Sequence, residues 1–524
     1  MMFVLIGVLL GAPWALSFAP FASWWLGFAL LIVLQEVVLR TSSHKQAAWL
    51  GFGFGWAAFC VGVHWLFTSL HHYGGLPAWF AVLSVGLFSA YLALFSALAC
   101  AVPRWWGGRT QSLKASPLLT AAVWAASWTF FEWLRGTLFT GFAWLNLGDT
   151  LVDSPLANLL PWLGNYGALF LVLWVATALV QTLREAIKRR AMLGKPSLQL
   201  LGLLGLLAAL LNAPVAVQSA GLLTVAGVQT NVDQSIKFDP DRIIGNMQQA
   251  FKLGDVARAK LDASPSGGAL LFPETVNPLV WTDTPDVWQQ RFRDFGVPGK
   301  IDVVMGSAIQ EGRDYYNSIV VFNGAERDRD LLIPQRRHDK RHLVPFGEFI
   351  PTGFAWFVGM LNMPMGEFSR GQGPLEPLRI AGQSVAGTVC YEDIFSGEFA
   401  GLLADAKHEP TVLLNLSNLA WFGQSWALDQ HAQMGRTRSA EHRKPGLRVT
   451  NTGLSGLVDD HGRWVVKVAP GQAMVWDGQI EGRKGRTLFS RLGSFLWFGI
   501  WGVVLVLMVL RDRRARAYNS GIPI

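Results

Sequence analysis

Charged residues are scarce in this sequence of 524 residues: they make up 15% of it, whereas a soluble globular protein carries roughly 25%. Tyrosine is also rare, with 7 residues against 24 tryptophans and 33 phenylalanines, a bias typical of chains that meet lipid and its interface. Hydrophobic residues make up 51%, and the mean hydropathy is +0.31. These figures exclude a disordered chain, a fibrous repeat and an ordinary cytosolic enzyme, and they predict an integral membrane protein.

Cysteine is nearly absent, because the chain has only Cys60, Cys100 and Cys390. Three cysteines are too few for a disulfide framework. Cys60 and Cys100 lie in apolar runs, where a thiol packs as a small hydrophobic group. Cys390 lies outside these runs and has no evident disulfide partner.

Long apolar runs are the main feature of the sequence. A helix that crosses a bilayer needs about 20 mostly apolar residues. Eight runs meet this requirement, and they lie near residues 3–19, 21–39, 47–69, 77–102, 118–134, 160–181, 198–216 and 492–510. The first run lacks a basic start and is followed at once by the second, which favours a membrane anchor over a cleaved signal peptide.

Basic residues in the loops predict the orientation. Fourteen Lys and Arg residues lie in the segments 40–46, 103–117, 182–197 and 511–524, whereas the alternate loops 70–76 and 135–159 contain Arg135 alone. Cytoplasmic loops carry the excess of Lys and Arg. We therefore expect both termini in the cytoplasm and the long segment before the eighth span on the opposite side. The net charge of +8 then reflects orientation and does not indicate nucleic-acid binding.

The chain divides into three parts. Residues 1–216 are predicted to form a membrane domain of seven helices, 217–490 an extracytoplasmic domain, and 491–524 the eighth helix with a basic tail. Within 217–490, helical patterns at 240–263 and 425–443 alternate with short β-type runs, which favours a layered α/β fold. The β-type runs are 222–229, 269–272, 303–309, 318–322, 385–390, 412–416, 447–450 and 456–458.

Three residues of this domain are candidates for chemistry. Cys390 ends an apolar run before a polar turn, where a nucleophile is exposed and gains thiolate character; a buried structural cysteine is an equal alternative. Glu274 closes the run Leu271–Thr275, at a strand end where α/β active sites gather, although a solvated loop carboxylate fits as well. Lys340 lies in the charged segment His338–Glu348 and can hold an oxyanion, unless that segment is a surface loop. The sequence has no metal-ligand spacing, phosphate-binding loop or dinucleotide fingerprint, so neither a metal nor a cofactor is predicted.

In this order, Glu274, Lys340 and Cys390 resemble the Glu-Lys-Cys triad of the nitrilase superfamily. Together with eight spans, the chain resembles the bacterial apolipoprotein N-acyltransferase family. Further matching motifs lie at 63–66, 72–75, 131–136, 140–144, 228–231, 418–423 and 448–453. Two positions depart from the family pattern: Leu419 stands where Asp is usual, and Phe238 stands where Trp is frequent.

The resemblance implies an αββα sandwich and a two-step acyl transfer in the bacterial inner membrane. Glu274 would act as general base, Cys390 as nucleophile and Lys340 as an oxyanion donor. The acyl donor would be a phospholipid, with phosphatidylethanolamine expected, and the acceptor a diacylated apolipoprotein. The resemblance also assigns supporting or substrate-binding roles to Glu348, Tyr391, Glu392, Phe238 and Asn418.

Two other functions fit parts of the sequence. A membrane-tethered nitrilase-like amidase would use the same triad to hydrolyse a C–N bond, but it would not need eight spans. A non-catalytic transporter or scaffold would need polar sites deep in the membrane, and His64 and Asn165 are sparse candidates for them.

Overall fold

The computed structural model describes residues 1–109, 116–189, 195–324, 333–361, 367–373, 375–404 and 408–520. Parts of two predicted basic loops, 110–115 and 190–194, and the end of the tail, 521–524, lie outside the described residues. The chain forms two compact units. The helical unit comprises 1–64, 82–214 and 492–524, and the mixed α/β unit comprises 65–81 and 215–491.

The helical unit contains helices in all eight of the predicted apolar regions. They are α1 (Met2–Gly11), α2 (Trp24–Arg40), α3 (His44–Gly62), α4 (Ala78–Arg109), α5 (Pro117–Arg135), α6 (Leu160–Arg189), α7 (Lys195–Asn212) and α15 (Ser494–Ser520). Among the described residues, three stretches are long and apolar enough to cross a membrane: Ala78–Trp106, Ala157–Lys188 and Ser494–Arg513. The count of eight spans therefore stays a prediction.

Arg135 fixes the segment that follows α5. Its guanidinium donates to the carbonyls of Phe142 (2.5 Å) and Trp144 (2.8 Å), and it lies 3.8 Å from the Glu132 carboxylate. Arg135 is only 2% exposed. The two sequence motifs at 131–136 and 140–144 are thus joined by one buried cation.

The third predicted apolar region ends earlier than expected. Helix α3 stops at Gly62, and a π-helical turn follows at Thr68–Tyr73. The Trp65–Ala81 segment belongs to the α/β unit, where Trp65 Nε1 donates to Gln430 Oε1 (3.2 Å) and Ser69 Oγ donates to the Trp421 carbonyl (2.7 Å). Polar groups with partners in the α/β unit, which apolarity alone does not reveal, account for the difference from the prediction.

The strands of the α/β unit form two six-stranded sheets within the described residues. The strands are β1 (Gln218–Gln229), β2 (Gly268–Leu271), β3 (Ile301–Glu311), β4 (Asp314–Phe322), β5 (Arg337–Asp339), β6 (Leu378–Ile380), β7 (Gln383–Val389), β8 (Val412–Ser417), β9 (Gly446–Thr450), β10 (Ser455–Val458), β11 (Trp464–Val468) and β12 (Met474–Lys484). The first sheet has the order β12-β1-β2-β3-β4-β5 and the second β11-β10-β9-β8-β7-β6. All eight predicted β-type runs are confirmed.

The two sheets repeat one pairing pattern. In the first, β1, β2 and β3 are parallel and the outer pairs are antiparallel. In the second, β7, β8 and β9 are parallel, again flanked by antiparallel pairs. Parallel neighbours present their carboxyl ends at the same sheet edge, which is where α/β folds gather functional groups.

Alternating side chains build a four-layer sandwich. Leu223 and Val225 of β1 enter an apolar core shared with strands of the second sheet, whereas Ala226 and Val228 face a core shared with a helix. This period of two is expected of strands that are covered on both faces. The helices of the unit are α8 (Gln234–Lys237), α9 (Pro240–Asp262), α10 (Asp286–Asp294), α11 (Ala355–Val358), α12 (Ser396–Ala404), α13 (Trp426–His442) and α14 (Leu488–Leu492). The predicted layered α/β fold is confirmed.

Candidate active site

Three strand ends position the predicted triad. Glu274 follows β2, Lys340 follows β5, and Cys390 follows β7 and begins a 3₁₀ turn at Cys390–Ile394. Cys390 has a φ of +51°, in the left-handed region that costs an L-residue about 1–2 kcal/mol. A sharp, strained turn at a strand end holds a nucleophile clear of its own strand.

Glu274 is buried and has defined partners on both oxygens. Its Oε1 accepts from Asn317 Nδ2 at 2.8 Å, and its Oε2 accepts from the backbone N–H of Asn418 at 2.5 Å. Burial raises the pKa of Glu274, whereas Lys340 lowers it. A carboxylate held this way is a stronger proton acceptor than one in water, as a general base requires.

Lys340 is paired mainly with Glu348. Its Nζ lies 2.9 Å from both Glu348 oxygens and 3.8 Å from Glu274 Oε1. Burial disfavours the ammonium, but Glu348 and Glu274 outweigh burial and raise the pKa of Lys340. Asn317 Nδ2 also donates to Glu348 Oε1 at 2.8 Å, so one amide orients both carboxylates. Lys340 is therefore a permanent cation with a fixed position.

The Cys390 thiol is coupled to both other triad members. Burial and the charge of Glu274 raise the pKa of Cys390 well above its usual range, and Lys340 acts in the opposite direction. The backbone N–H of Asn418 also acts to lower the pKa of Cys390. A thiol with a raised pKa stays protonated at rest, so its reaction requires a neighbouring base. The structure thus brings Glu274, Lys340 and Cys390 into one site.

Lys237 is a second buried cation that the sequence analysis missed. Its Nζ donates to the backbone carbonyl of Glu274 at 3.3 Å. Burial lowers the pKa of Lys237 to about 8, although Glu274 and Cys390 both raise it. One signal in the sequence could have revealed it, since Lys237 immediately precedes the predicted residue Phe238. Phe238 itself is 37% exposed at the end of α8.

Glu392 ties the nucleophile turn to the lysine segment. Its Oε2 accepts from the N–H of Val389 (2.6 Å), and its Oε1 accepts from the N–H groups of Arg341 (2.6 Å) and His342 (3.2 Å). Hydrogen bonds to these donors and to His338 lower the pKa of Glu392 despite its burial. This carboxylate therefore holds the segments of Cys390 and Lys340 together.

Tyr391 packs with two aromatic rings. Its ring centroid lies 4.9 Å from that of Phe395 and 5.7 Å from that of His342. The His342 and Phe395 rings stack at 3.8 Å. The side chain of Tyr391 therefore stabilises the turn behind the nucleophile.

Asn418 lies where three sequence motifs meet. Its Nδ2 donates to Gln234 Oε1, and its Oδ1 accepts from Asn451 Nδ2, both at 2.9 Å. Asn451 in turn accepts from Thr230 Oγ1 at 2.7 Å. The motifs at 228–231, 418–423 and 448–453 thus form one network that fixes the backbone N–H facing Glu274 and Cys390.

Leu419 fills an apolar site, although the related family usually has Asp at this position. It is buried with Leu428, Ala432 and Leu454, and Cys390 packs against the same cluster. A carboxylate here would lose its hydration without a partner among these side chains, which is costly.

Among the described residues, one group of possible metal ligands lies in the β10–β11 turn. The ligand atoms of Asp459, Asp460 and His461 lie within 4.8 Å of one another. Asp459 Oδ1 accepts from the N–H groups of His461 and Arg463, and Asp460 pairs with His461 and Arg483. These hydrogen bonds and ion pairs hold both carboxylates in place as structural parts of the turn.

Comparisons with known proteins match each of the two units to a family. Residues 10–178 match the apolipoprotein N-acyltransferase N-terminal domain, and residues 226–481 match the carbon-nitrogen hydrolase family. A carbon-nitrogen hydrolase from Helicobacter pylori G27 is similar to 58% of this chain and 99% of its own length, at 14% identity and a TM-score of 0.35.

Two curated relatives match almost from end to end. The apolipoprotein N-acyltransferase of Ralstonia nicotianae is 37% identical over 98% of this chain and 94% of its own length. That of Bordetella bronchiseptica is 35% identical over 97% of this chain and 96% of its own length. With this identity over both units, the chain belongs to the apolipoprotein N-acyltransferase family.

Proposed function

We propose that this protein transfers an acyl chain from a phospholipid, through a thioester on Cys390, to the N-terminal amine of a diacylglyceryl-cysteine in an apolipoprotein. The observation that carries the proposal is the placement of Glu274, Lys340 and Cys390 at three strand ends of one unit, with Lys340 Nζ 3.8 Å from Glu274 Oε1. The charges of Glu274 and Lys340 both act on the Cys390 thiol. Membership of the acyltransferase family supports this reaction over hydrolysis of a small amide.

The first step forms the thioester. Glu274 takes the proton of Cys390 while the sulfur attacks the ester carbonyl of the phospholipid, for which phosphatidylethanolamine is the expected donor. Lys340 and a backbone N–H at the nucleophile turn stabilise the oxyanion, and each such donor is worth about 3–4 kcal/mol. Glu274 then donates this proton to the departing oxygen, and the lysophospholipid leaves.

The second step transfers the acyl chain to nitrogen. The neutral α-amine attacks the thioester carbonyl, Glu274 accepts the ammonium proton, and the sulfur departs as the leaving group. The proton on Glu274 returns to Cys390, which restores the resting site. This is ping-pong covalent catalysis. Water must be kept out between the steps, because hydrolysis would waste the thioester.

Both substrates are lipids, so the proposal includes a bilayer. We place the protein in the bacterial inner membrane with eight spans, both termini in the cytoplasm and the α/β unit on the periplasmic side. The loop asymmetry of fourteen basic residues against one supports this orientation. The eight apolar helical regions support the number of spans.

Intact mass spectrometry tests the thioester directly. The full chain in detergent is incubated with phosphatidylethanolamine, and the expected product is heavier by one acyl chain. Neutral hydroxylamine should remove the adduct, and Cys390→Ala should not form it. Addition of a diacylated lipopeptide with a free amine should then yield the N-acylated peptide.

Two outcomes would overturn the proposal. No adduct on folded, lipid-bound protein would exclude the thioester route. Release of free fatty acid or ammonia, without an N-acylated peptide, would favour a nitrilase-like amidase instead.

A further inference from the structure

The carbonyl group of Cys390 is held by two buried side chains. Asn415 Nδ2 on β8 donates to it at 3.1 Å, and His431 Nε2 on α13 lies 3.0 Å from it. Two donors from different elements fix the direction of this carbonyl. The strained φ of Cys390 is therefore held by contacts from outside its own turn.

Arg448 determines which nitrogen of His431 carries the proton. Its Nη2 lies 2.7 Å from His431 Nδ1, and a guanidinium can only donate. Nδ1 must then be the acceptor, so the proton lies on Nε2, facing the Cys390 carbonyl. The imidazole is thus a neutral donor with a defined tautomer.

Asp393 anchors the guanidinium from the nucleophile turn itself. Arg448 Nη1 donates to Asp393 Oδ2 at 2.6 Å, and Asp393 Oδ1 lies 3.3 Å from His431 Nε2. Gly435 leaves room for this pair, since a Cβ there would lie 1.6 Å from Arg448 Nη1. Asp393, Arg448 and His431 form a closed network behind Cys390, and all three are at least 90% buried.

The geometry of the peptide bond passes this constraint to the next residue. A trans peptide is planar, so its C=O and N–H point in opposite directions. A carbonyl directed at His431 and Asn415 therefore directs the N–H of Tyr391 away from α13 and β8. Any rotation of the carbonyl would rotate this N–H equally.

We propose that His431, held by Arg448 and Asp393, is a positioning residue that orients the Tyr391 N–H as an oxyanion donor. The inference rests on the proposed acyl transfer, because it names the residues that set one donor of that reaction. The network acts through the Cys390–Tyr391 peptide, whose carbonyl His431 contacts.

Two reactions of the same thiol separate this role from a structural one. Acylation by phosphatidylethanolamine passes through an oxyanion, whereas alkylation by iodoacetamide does not. Both rates are measured on the full chain in detergent, acylation by intact mass and alkylation by the mass of the Cys390 peptide. The ratio of the two rates then cancels any change in the formation or accessibility of the thiolate, which both reactions share, and is sensitive to the oxyanion donors.

His431→Leu should slow acylation about 10- to 100-fold and leave alkylation within about twofold. His431→Gln should restore most of the acylation, because its amide can donate to Cys390 and accept from Arg448. His442→Leu is the matched control, a buried histidine on the same helix whose Nδ1 lies 2.8 Å from Ser490 Oγ. It should leave the ratio unchanged even where stability falls.

Arg448→Lys provides a second route if His431→Leu does not fold. It keeps a cation beside Asp393 but removes the donor to Nδ1, and the ratio should again fall. An unchanged ratio in a folded variant, or an equal loss of both rates, would overturn the inference. Wild-type protein that alkylates but never acylates would instead refute the proposed function.

Discussion

At the residue scale, the pKa values of the two buried lysines of the site are shifted in opposite directions. Lys340 has a raised pKa because it lies between Glu348 and Glu274, whereas the pKa of Lys237 is lowered to about 8 because burial outweighs its neighbours. Folding therefore favours the ammonium of Lys340 and disfavours that of Lys237. A charge that the fold retains at a cost, beside a nucleophile, indicates a functional role.

Replacing each lysine in turn is predicted to change the stability of the protein in opposite directions. Between pH 8 and 10.5 the unfolded chain binds more protons at Lys237 than the folded chain does. The destabilisation caused by burying the Lys237 ammonium is therefore fully present below pH 8 and disappears above pH 10.5. Lys237→Met should thus stabilise the protein by on the order of 3 kcal/mol at pH 7, and by less at pH 9.5. Lys340→Met should destabilise it, since stability from Lys340 is fully present below 10.5 and is lost as the pH rises through its raised pKa.

Thermal melting of wild type and variants in one detergent, at pH 7 and at pH 9.5, measures these changes in stability. We also expect Lys237→Met to slow alkylation of Cys390, because the ammonium favours the thiolate. A lower melting temperature for Lys237→Met at pH 7 would contradict the prediction.

Sequence patterns located the residues that end strands but not the polar groups inside the fold. Glu274 and Cys390 follow apolar runs, so their positions were visible. Lys340 was a candidate from its charged segment, and the resemblance assigned its role. Asn317 is hidden because it lies within a strand whose inner face is otherwise apolar. Its partners come from distant segments, and no local pattern records them.

At the element scale, strand β3 supports Glu274 through the absence of a side chain. A Cβ at Gly306 would lie 2.5 Å from Glu274 Cα and 2.7 Å from the nitrogen of Thr275. Gly306→Ala must therefore displace the backbone that carries the general base. Since a displacement near 1 Å can cost about 10²-fold in rate, we expect at least about a 10-fold loss of acylation.

Gly387→Ala is the matched control for this prediction. Its Cβ would lie 2.9 Å from Ile319 Cδ1, the end of a flexible side chain that can move. Both variants overpack the α/β unit, at a cost of about 1–3 kcal/mol. Single-turnover acylation and melting are measured together. Equal rates for the two variants would show that β3 does not position Glu274.

The buried environment of helix α13 could not be predicted from the sequence. The stretch 425–443 looks polar and suggests a solvated face, yet fourteen of the seventeen residues of α13 are buried. Its charges find partners inside the unit, as in the Arg438–Glu441 pair at 3.0 Å. Strand β12 was missed for a related reason: its alternation is broken by glycines and charges, and it is held by pairing with β1.

At the scale of the whole molecule, orientation is the main prediction. Single cysteines are introduced into a chain whose own three are replaced by alanine. Val256→Cys, at an exposed site on α9, should react with a membrane-impermeant maleimide in cells with a permeable outer envelope. Ser42→Cys, exposed between α2 and α3, should react only after the inner membrane is opened. The reverse pattern would invert the proposed topology.

The Trp65–Ala81 segment also has a consequence for the timing of biosynthesis. Its Trp65 binds Gln430, which lies 365 residues later in the chain. At 5–20 residues per second, the ribosome needs roughly 20–70 s to reach that partner. During this interval the segment lacks Trp421 and Gln430, with which it forms hydrogen bonds in the folded unit. The α/β unit therefore cannot fold strictly in the order in which it is synthesised. Some of its native contacts form only when the early Trp65–Ala81 segment packs against residues that are made much later.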